Sequence, residues 1–154
     1  DALRDVHKSG VLLATTSAFV GITVYFASNQ AFAMSHLSNR FAETTSPVER
    51  AALLAAGEAL LAIHTHGTGI QLSLFLLLLA GLIISIVMLR SAVFNKATAI
   101  AGILANGFGL GYFIALPFQP AFIWIFPTIS APFRMLWYIL IAIRLFQLAR
   151  AKNE

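Results

Sequence analysis

The segment from Gly67 to Leu89 contains 23 residues and no charged side chain, and its centre is the run Ser73-Leu74-Phe75-Leu76-Leu77-Leu78-Leu79-Ala80-Gly81-Leu82. An α-helix rises about 1.5 Å per residue, so this segment would be about 35 Å long, enough to cross a hydrocarbon core of about 30 Å. A water-soluble fold of 154 residues has no interior that holds such a helix. We therefore predict an integral membrane protein.

The composition agrees with this prediction. Hydrophobic residues make up 59% of the chain and charged residues only 10%, whereas a soluble domain is about 25% charged. The ten basic residues are spread over predicted helix ends and form no stripe, so we expect no nucleic acid partner. The absence of cysteine excludes disulfides, thiol chemistry and Cys-ligated metals. Because residue 1 is Asp rather than Met, we expect a trimmed or partial product.

The first predicted span covers residues 10–27 and carries small side chains at helical spacing. Gly10, Ala14 and Ala18 fall on one face, where small residues let membrane helices approach closely. An alternative interpretation is a secretory signal peptide that ends at the small-residue motif Ala31-Phe32-Ala33, although the apolar run is long for one.

The third span, about 97–116, is the most evident packing helix. Small residues recur every four positions, and two glycines form a Gly-xxx-Gly pair; the predicted packing residues are Ala97, Ala101, Ala105, Gly109, Gly107 and Gly111. The stretch 118–132 is rich in proline and aromatic residues and is predicted to be an interfacial or partly re-entrant loop. The last span then covers about 133–150.

Residues 30–66 form a predicted outer helical segment. Its first part places apolar side chains on one helical face, which is typical of an amphipathic helix at the membrane interface; these are Phe32, Met34, Leu37 and Phe41. A second helix is predicted to begin at Ser46, with Pro47 at its first position and Glu49 completing a capping box.

The join between this second helix and the following span has three alternative arrangements. An unbroken helix over 47–89 would be about 65 Å long, twice the thickness of the bilayer core. Glycine pairs are common kink sites, so we predict a kink or break at Gly67-Thr68-Gly69. The alternatives are a helix that projects far from the membrane, or a separate span over 51–66, against which Glu58 argues.

The basic residues predict an orientation. Seven of the ten fall on one side when both termini are cytoplasmic, namely Arg4, Lys8, Arg90, Lys96, Arg144, Arg150 and Lys152, whereas Arg40, Arg50 and Arg134 fall on the other. The positive-inside rule therefore predicts four spans with both termini in the cytoplasm.

Three histidines are candidate metal ligands. His64 and His66 lie where the second outer helix meets the span, and His36 lies on the same predicted side of the membrane. One interpretation is that the three imidazoles bind a divalent cation such as Zn²⁺. Residues two apart on a helix point about 160° from each other, so His64 and His66 share a site only if the helix breaks at Gly67. Otherwise they are polar residues at the membrane edge.

Polar residues within or beside the spans suggest a second type of site. Glu58, Gln71 and Asn106 would line an internal cavity if they contacted a substrate. The alternatives are that Glu58 reaches water or pairs with an arginine, and that Gln71 and Asn106 form hydrogen bonds between helices. Arg144 lies within the last span and either extends to the headgroups or serves a function. The sequence contains no motif typical of hydrolases, metalloproteases or phosphate-binding loops.

The run LSNRFAETTSPVERAALLAAGEALLA (37–62), continued by LRSAVFNK (89–96) and the glycine-rich span up to Tyr112, resembles a family of bacterial multi-pass membrane proteins with no assigned activity. The resemblance covers about half of the chain, and members of the family tend to be longer, with additional spans. It implies a helical membrane fold and a bacterial source, and hence the inner membrane.

We therefore predict an all-α polytopic membrane bundle with four spans in a single domain and one outer helical segment. The leading hypothesis is a non-enzymatic accessory or scaffolding subunit that contacts the lipid bilayer and other helices, as a homo-oligomer or within a larger membrane complex. The second hypothesis is a lipid- or small-molecule-binding or transport protein with an internal polar cavity. The third is a metal site or enzyme at the outer face, and apart from its divalent metal no cofactor is predicted.

Overall fold

The computed structural model describes residues 6–118 and 122–151, with only the backbone of Ala151. Arg4 and Lys152, which entered the charge count, lie outside the described residues, as does part of the predicted loop 118–132. The described chain is helical, without a strand. Its helices are α1 (Lys8–Ala27), α2 (Ala31–Glu43), α3 (Pro47–His66), α4 (Thr68–Leu89), α5 (Lys96–Ala115) and α6 (Ile125–Ala151).

Four helical stretches are long and apolar enough to cross a membrane. They are Lys8–Glu43, which contains α1 and α2; Pro47–Leu89, which contains α3 and α4; and Lys96–Ala115 and Ile125–Arg150, which correspond to α5 and α6. The predicted fold class, an all-helical membrane bundle, is confirmed.

The chain divides into two compact units, and the boundaries fall within α1 and α4. Residues Val20–Leu74 form one unit, called here the hairpin unit, and Asp1–Phe19 with Phe75–Glu154 form the other, called the bundle unit. The prediction of a single domain stays a prediction.

In the hairpin unit, α2 and α3 pack against each other across the short turn 44–46. Ser46 is the N-cap of α3, and its hydroxyl accepts a hydrogen bond from the Glu49 backbone N–H at 3.4 Å. The Glu49 carboxylate accepts hydrogen bonds from the Thr44 hydroxyl at 2.7 Å and from Arg40 Nη2 at 2.6 Å. The predicted helix start at Ser46 is therefore present, but the predicted capping box is only half formed. The Ser46 backbone N–H donates to Thr44 Oγ1 at 3.4 Å, and the Glu49 carboxylate instead ties α3 to the end of α2.

The helix break predicted near Gly67 is present. Gly67 leaves the helical conformation (φ −65°, ψ 140°), so α3 ends at His66 and α4 begins at Thr68. A Cβ atom at Gly67 would collide with the carbonyl oxygen of Ile63. These φ and ψ values suit any residue, so glycine is required here because of the close approach: the obstacle is a backbone atom, which cannot rotate away as a side chain can.

In the bundle unit, α5 is the most enclosed helix. Its buried residues are Thr98, Ala99, Ala101, Gly102, Ala105, Asn106 and Gly109. At one end, Met88 of α4, Phe94 of the α4–α5 link and Ala99 form a buried apolar cluster. Asn95 caps α5, because its side-chain oxygen accepts a hydrogen bond from the Thr98 backbone N–H at 2.8 Å.

The last helix begins earlier than the sequence predicts. α6 begins at Ile125 and contains Pro132, whereas residues 118–132 were expected to form a loop and the span was expected to begin at about 133. Proline disfavours a helix interior in water, but within membrane bundles neighbouring helices and hydroxyl side chains satisfy the backbone groups that it frees. The carbonyl that Pro132 leaves without its backbone donor is that of Thr128; the Thr128 hydroxyl itself donates one turn earlier, to the carbonyl of Trp124 at 2.7 Å.

Candidate functional site

The tightest junction in the bundle unit is at Gly102, where three helices meet. A Cβ atom built on Gly102 would collide with Ser85 Oγ of α4 and would lie 2.5 Å from Trp137 Nε1 of α6. Ser85 is fully buried and donates a hydrogen bond to the Gly81 carbonyl at 2.7 Å. The missing side chain of Gly102 thus makes room for a hydroxyl on one side and an indole on the other.

Asn106, a candidate cavity residue, lies at the contact between α4 and α5. Its Nδ2 donates to the Gly102 carbonyl at 2.8 Å, and its amide occupies the place that a Cβ atom at Gly81 would need. Asn106 is buried. Its amide therefore serves helix packing in this structure.

A hydrogen-bonded chain joins α5 to α6 near the middle of the bundle unit. The Ser130 hydroxyl, 1% exposed, donates to the Ala105 carbonyl at 2.6 Å, and Arg134 Nη2 donates to the same hydroxyl at 3.0 Å. The guanidinium also lies beside Gly109, where a Cβ atom would be 3.2 Å from Arg134 Nη2. In the sequence Arg134 counts only as a basic residue on the predicted outer side of the membrane, and nothing there predicts this contact.

The small residues predicted to pack on α5 fall into two groups. Ala101, Ala105 and Gly109 are buried, and Gly111 contacts Phe126 of α6, whose ring would lie 2.6 Å from an added Cβ atom. Ala97 is exposed and Gly107 has no neighbour within 4 Å of an added Cβ atom. The two glycines of the Gly-xxx-Gly pair therefore have different surroundings.

The small residues of α1 also differ in burial. Ala14 is buried, Ala18 is half-buried, and Gly10 lies close enough to α4 that an added Cβ atom would be 3.0 Å from Val87 Cγ2. The contact of Gly10 with Val87 is within the bundle unit.

The hairpin unit contains an open groove of about 330 Å³ between α2 and α3. Glu58 lies at its edge and is exposed, without an ion-pair partner among the described residues. The rest of the lining is mostly apolar and consists of Met34, Leu37, Ser38, Phe41, Leu53, Leu54, Gly57 and Leu61.

Gln71, the third candidate cavity residue, bridges the break between α3 and α4. Its Nε2 donates to the carbonyl of Thr65 at 3.1 Å. Thr65 lies in the last turn of α3, where the helical hydrogen-bond ladder is interrupted at Gly67. The side-chain amide thus satisfies a carbonyl that the break leaves without its usual partner.

The three histidines do not assemble into a metal centre. His36 and His66 are exposed and His64 is half-buried. Within residues 6–118 and 122–151, no group of three His, Asp or Glu side chains is placed to hold a metal ion.

Basic side chains gather toward one end of the bundle unit. The Arg144 Nε donates to the Val93 carbonyl at 2.5 Å, which ties α6 to the α4–α5 link that carries Arg90. Lys96 begins α5 just after this link, and Lys8 begins α1, whose Gly10 contacts Val87 near the end of α4.

Several of the contact residues were not among the predicted site residues, notably Gly81, Ser85, Gly102, Ser130 and Trp137. A signal for two of them was present, since Gly81 and Ser85 are small residues four positions apart in the most apolar span. Nothing in the local sequence around Trp137 indicates that its indole reaches Gly102.

Comparisons of this chain with protein-family models, curated proteins and solved structures found no match. The resemblance to bacterial multi-pass membrane proteins therefore stays a prediction.

Proposed function

We propose that the chain is a non-enzymatic accessory subunit of the bacterial inner membrane that acts through helix–helix contacts with other membrane proteins or with further copies of itself. The observation that carries this proposal is the outward face of α5 around Gly107. Apart from the two adjacent residues and the backbone of α5 itself, no atom of the described chain lies within 4 Å of a Cβ atom built there.

Gly107 lies in a depression on this face. Ile100 and Ile114, seven residues before and after it, are on the same side of the helix and are 50% and 70% exposed. Two helical turns, about 10.5 Å, separate each isoleucine from the glycine. A surface with a glycine between two bulky side chains is the shape that a crossing membrane helix fits, because its backbone approaches at the glycine.

A glycine in a helix that faces only lipid brings no packing benefit. Glycine destabilises a helix interior by about 0.5–1 kcal/mol relative to alanine. At Gly102 and Gly109 this cost is offset by contacts with α4 and α6, which approach within van der Waals distance. At Gly107 no such contact exists within the described chain, and a partner helix would supply it.

The test is to enlarge Gly107 and measure association. Gly107→Leu would fill the depression by adding four carbon atoms, whereas Ala142→Leu adds three at an exposed position on α6 and is the control. Tagged protein is extracted from native membranes in a mild detergent, and its mass and co-purifying proteins are determined. We expect a complex that Gly107→Leu abolishes and Ala142→Leu preserves. A strictly monomeric wild-type chain without a partner, or an unchanged complex in Gly107→Leu, would refute the proposal.

The proposed orientation places both termini in the cytoplasm. It is supported by the basic residues that gather at one end of the bundle unit, since cytoplasmic ends of spans carry excess Lys and Arg. In this orientation the α2–α3 turn lies on the opposite side of the membrane.

The groove of the hairpin unit favours a second candidate function, the binding of a lipid or small molecule. Its apolar lining with the Glu58 carboxylate at the edge suits an apolar cation such as a long-chain amine. Glu58→Gln should weaken binding of dodecylamine and leave that of dodecanol unchanged, with Glu43→Gln as the control. Equal binding of both compounds by the wild-type protein would exclude the Glu58 carboxylate as a ligand-binding group, and binding of neither compound would exclude this function.

A further inference from the structure

The described part of the bundle unit carries positive charge that it does not neutralise. Residues 6–19, 75–118 and 122–151 contain no Asp or Glu; their basic residues are Lys8, Arg90, Lys96, Arg134, Arg144 and Arg150. Within this range, no ion pair forms. Three acidic residues of this unit's sequence lie outside the described residues, namely Asp1, Asp5 and Glu154.

A groove of about 230 Å³ opens between the start of α1 and the end of α4, at the end of the unit where basic residues gather. Its floor forms because Gly10 has no side chain, and an added Cβ atom would be 2.9 Å from His7 Nδ1 and 3.0 Å from Val87 Cγ2. Ile83 and Ile86 form an apolar wall, and His7 and Arg90 lie at the rim.

The two rim residues present hydrogen-bond donors. The backbone N–H of Gly10 donates to His7 Nδ1 at 2.9 Å, so Nε2 of this ring carries the proton and is a donor. The Arg90 guanidinium is exposed and makes no side-chain hydrogen bond or ion pair with the described residues. The groove therefore combines an apolar wall with a positively charged, donor-rich rim.

We propose that this groove binds an anionic phospholipid. The acyl chain would lie along Ile83 and Ile86, and the phosphate would accept hydrogen bonds from the Arg90 guanidinium and His7 Nε2. Charge complementarity supports this occupant, because arginine binds phosphate oxygens through two parallel hydrogen bonds and basic clusters at span ends attract anionic lipids. The proposal is independent of the partner contact at Gly107, which lies on another face of another helix.

The test compares two lipids with identical acyl chains. Purified full-length protein in detergent is titrated with phosphatidylglycerol or with phosphatidylcholine, and bound lipid is quantified by native mass spectrometry; soluble glycerol phosphate is a third ligand that has the phosphate alone. We expect phosphatidylglycerol to bind at least about fivefold more tightly than phosphatidylcholine, since each basic side chain near a membrane surface contributes about that factor. We expect no binding of glycerol phosphate at the same concentrations.

Four variants separate the wall from the rim. Ile86→Trp fills the groove and should abolish the preference, whereas Leu89→Trp, exposed on the same helix outside the groove, should not. Arg90→Gln should weaken phosphatidylglycerol binding about fivefold. Arg150→Gln, an exposed basic residue on α6, should leave it unchanged.

Retention of the helical circular dichroism spectrum shows that each variant is folded. Arg90→Lys keeps the positive charge and should therefore retain most of the preference for phosphatidylglycerol. Equal affinity for the two lipids, or equal losses in Arg90→Gln and Arg150→Gln, would overturn the proposal. Binding of glycerol phosphate as tight as that of the lipid would overturn the assignment of the apolar wall to an acyl chain.

Discussion

Two glycines of α5, five residues apart, should respond in opposite ways to the same substitution. Gly102 lies between Ser85 and Trp137 of two other helices, whereas Gly107 has open space around it. Alanine adds one methyl group at either position, so the difference between the variants isolates the packing around that methyl group from helix propensity.

The expected magnitude follows from the contacts. At Gly102, a methyl group would displace the Ser85 hydroxyl from its 2.7 Å hydrogen bond to the Gly81 carbonyl, a loss of about 0.5–1.5 kcal/mol. The buried indole of Trp137 would also have to shift, and overpacking of this kind costs about 1–3 kcal/mol. The gain in helix propensity, about 1 kcal/mol, offsets part of this cost. For the monomeric chain, in which no partner helix covers Gly107, we expect Gly102→Ala to lower the free energy of unfolding by about 0.5–3.5 kcal/mol. Under the same conditions we expect Gly107→Ala to raise it by about 0.5–1 kcal/mol.

The assay is reversible unfolding of the purified protein by sodium dodecyl sulfate in mixed micelles, followed by tryptophan fluorescence. Both variants are measured beside the wild type under identical conditions. Equal effects of Gly102→Ala and Gly107→Ala, whether stabilising or destabilising, would refute the assignment of the inner and outer faces of α5.

Two further predictions concern the hairpin unit. Gly67→Ala should lower the free energy of unfolding by about 1–3 kcal/mol, because the added methyl group would meet the Ile63 carbonyl. Gly57 has room for a Cβ atom, so Gly57→Ala should leave the free energy of unfolding unchanged or raise it. The same unfolding assay measures both variants, and equal losses of stability would contradict this reasoning. The Thr44 hydroxyl, followed by the Arg40 guanidinium, lowers the pKa of Glu49 below its ordinary value of 4.5. The stabilisation of the α2–α3 turn by the Glu49 carboxylate is therefore complete above the unfolded pKa and is lost as the pH falls through the lowered folded pKa. The protection factor of the amides in this turn, measured by hydrogen exchange, should fall in acid, and Glu49→Gln should remove this pH dependence.

The architecture was largely predictable because its signals are local. A charge-free run of sufficient length defines a span, and Ser46 followed by Pro47 defines a helix start, whatever the rest of the chain does. The break at Gly67 followed from length, since a continuous helix would exceed the bilayer thickness. The start of α6 was wrong because proline was interpreted as it behaves in water, where Pro132 would end a helix.

The contacts between helices were less predictable. A ladder of small residues shows which helix packs closely but not which of its faces meets a neighbour, so Gly107 and Gly109 look equivalent in the sequence and differ in the structure. Asn106 and Gln71 illustrate the same limit. The Asn106 amide donates to the Gly102 carbonyl of its own helix, and the Gln71 amide donates to the Thr65 carbonyl at the helix break. Neither hydrogen-bond partner can be predicted from the residue type alone.

The topology underlies every proposal, and single-cysteine labelling tests it most directly, because the chain contains no native cysteine. Val48, 81% exposed beside the α2–α3 turn, and Ala92, exposed in the α4–α5 link, are replaced by cysteine one at a time and treated with a membrane-impermeant thiol reagent. We expect Val48→Cys to be labelled in intact cells and Ala92→Cys only after the membrane is permeabilised. Labelling of both positions in intact cells would contradict a membrane crossing between them.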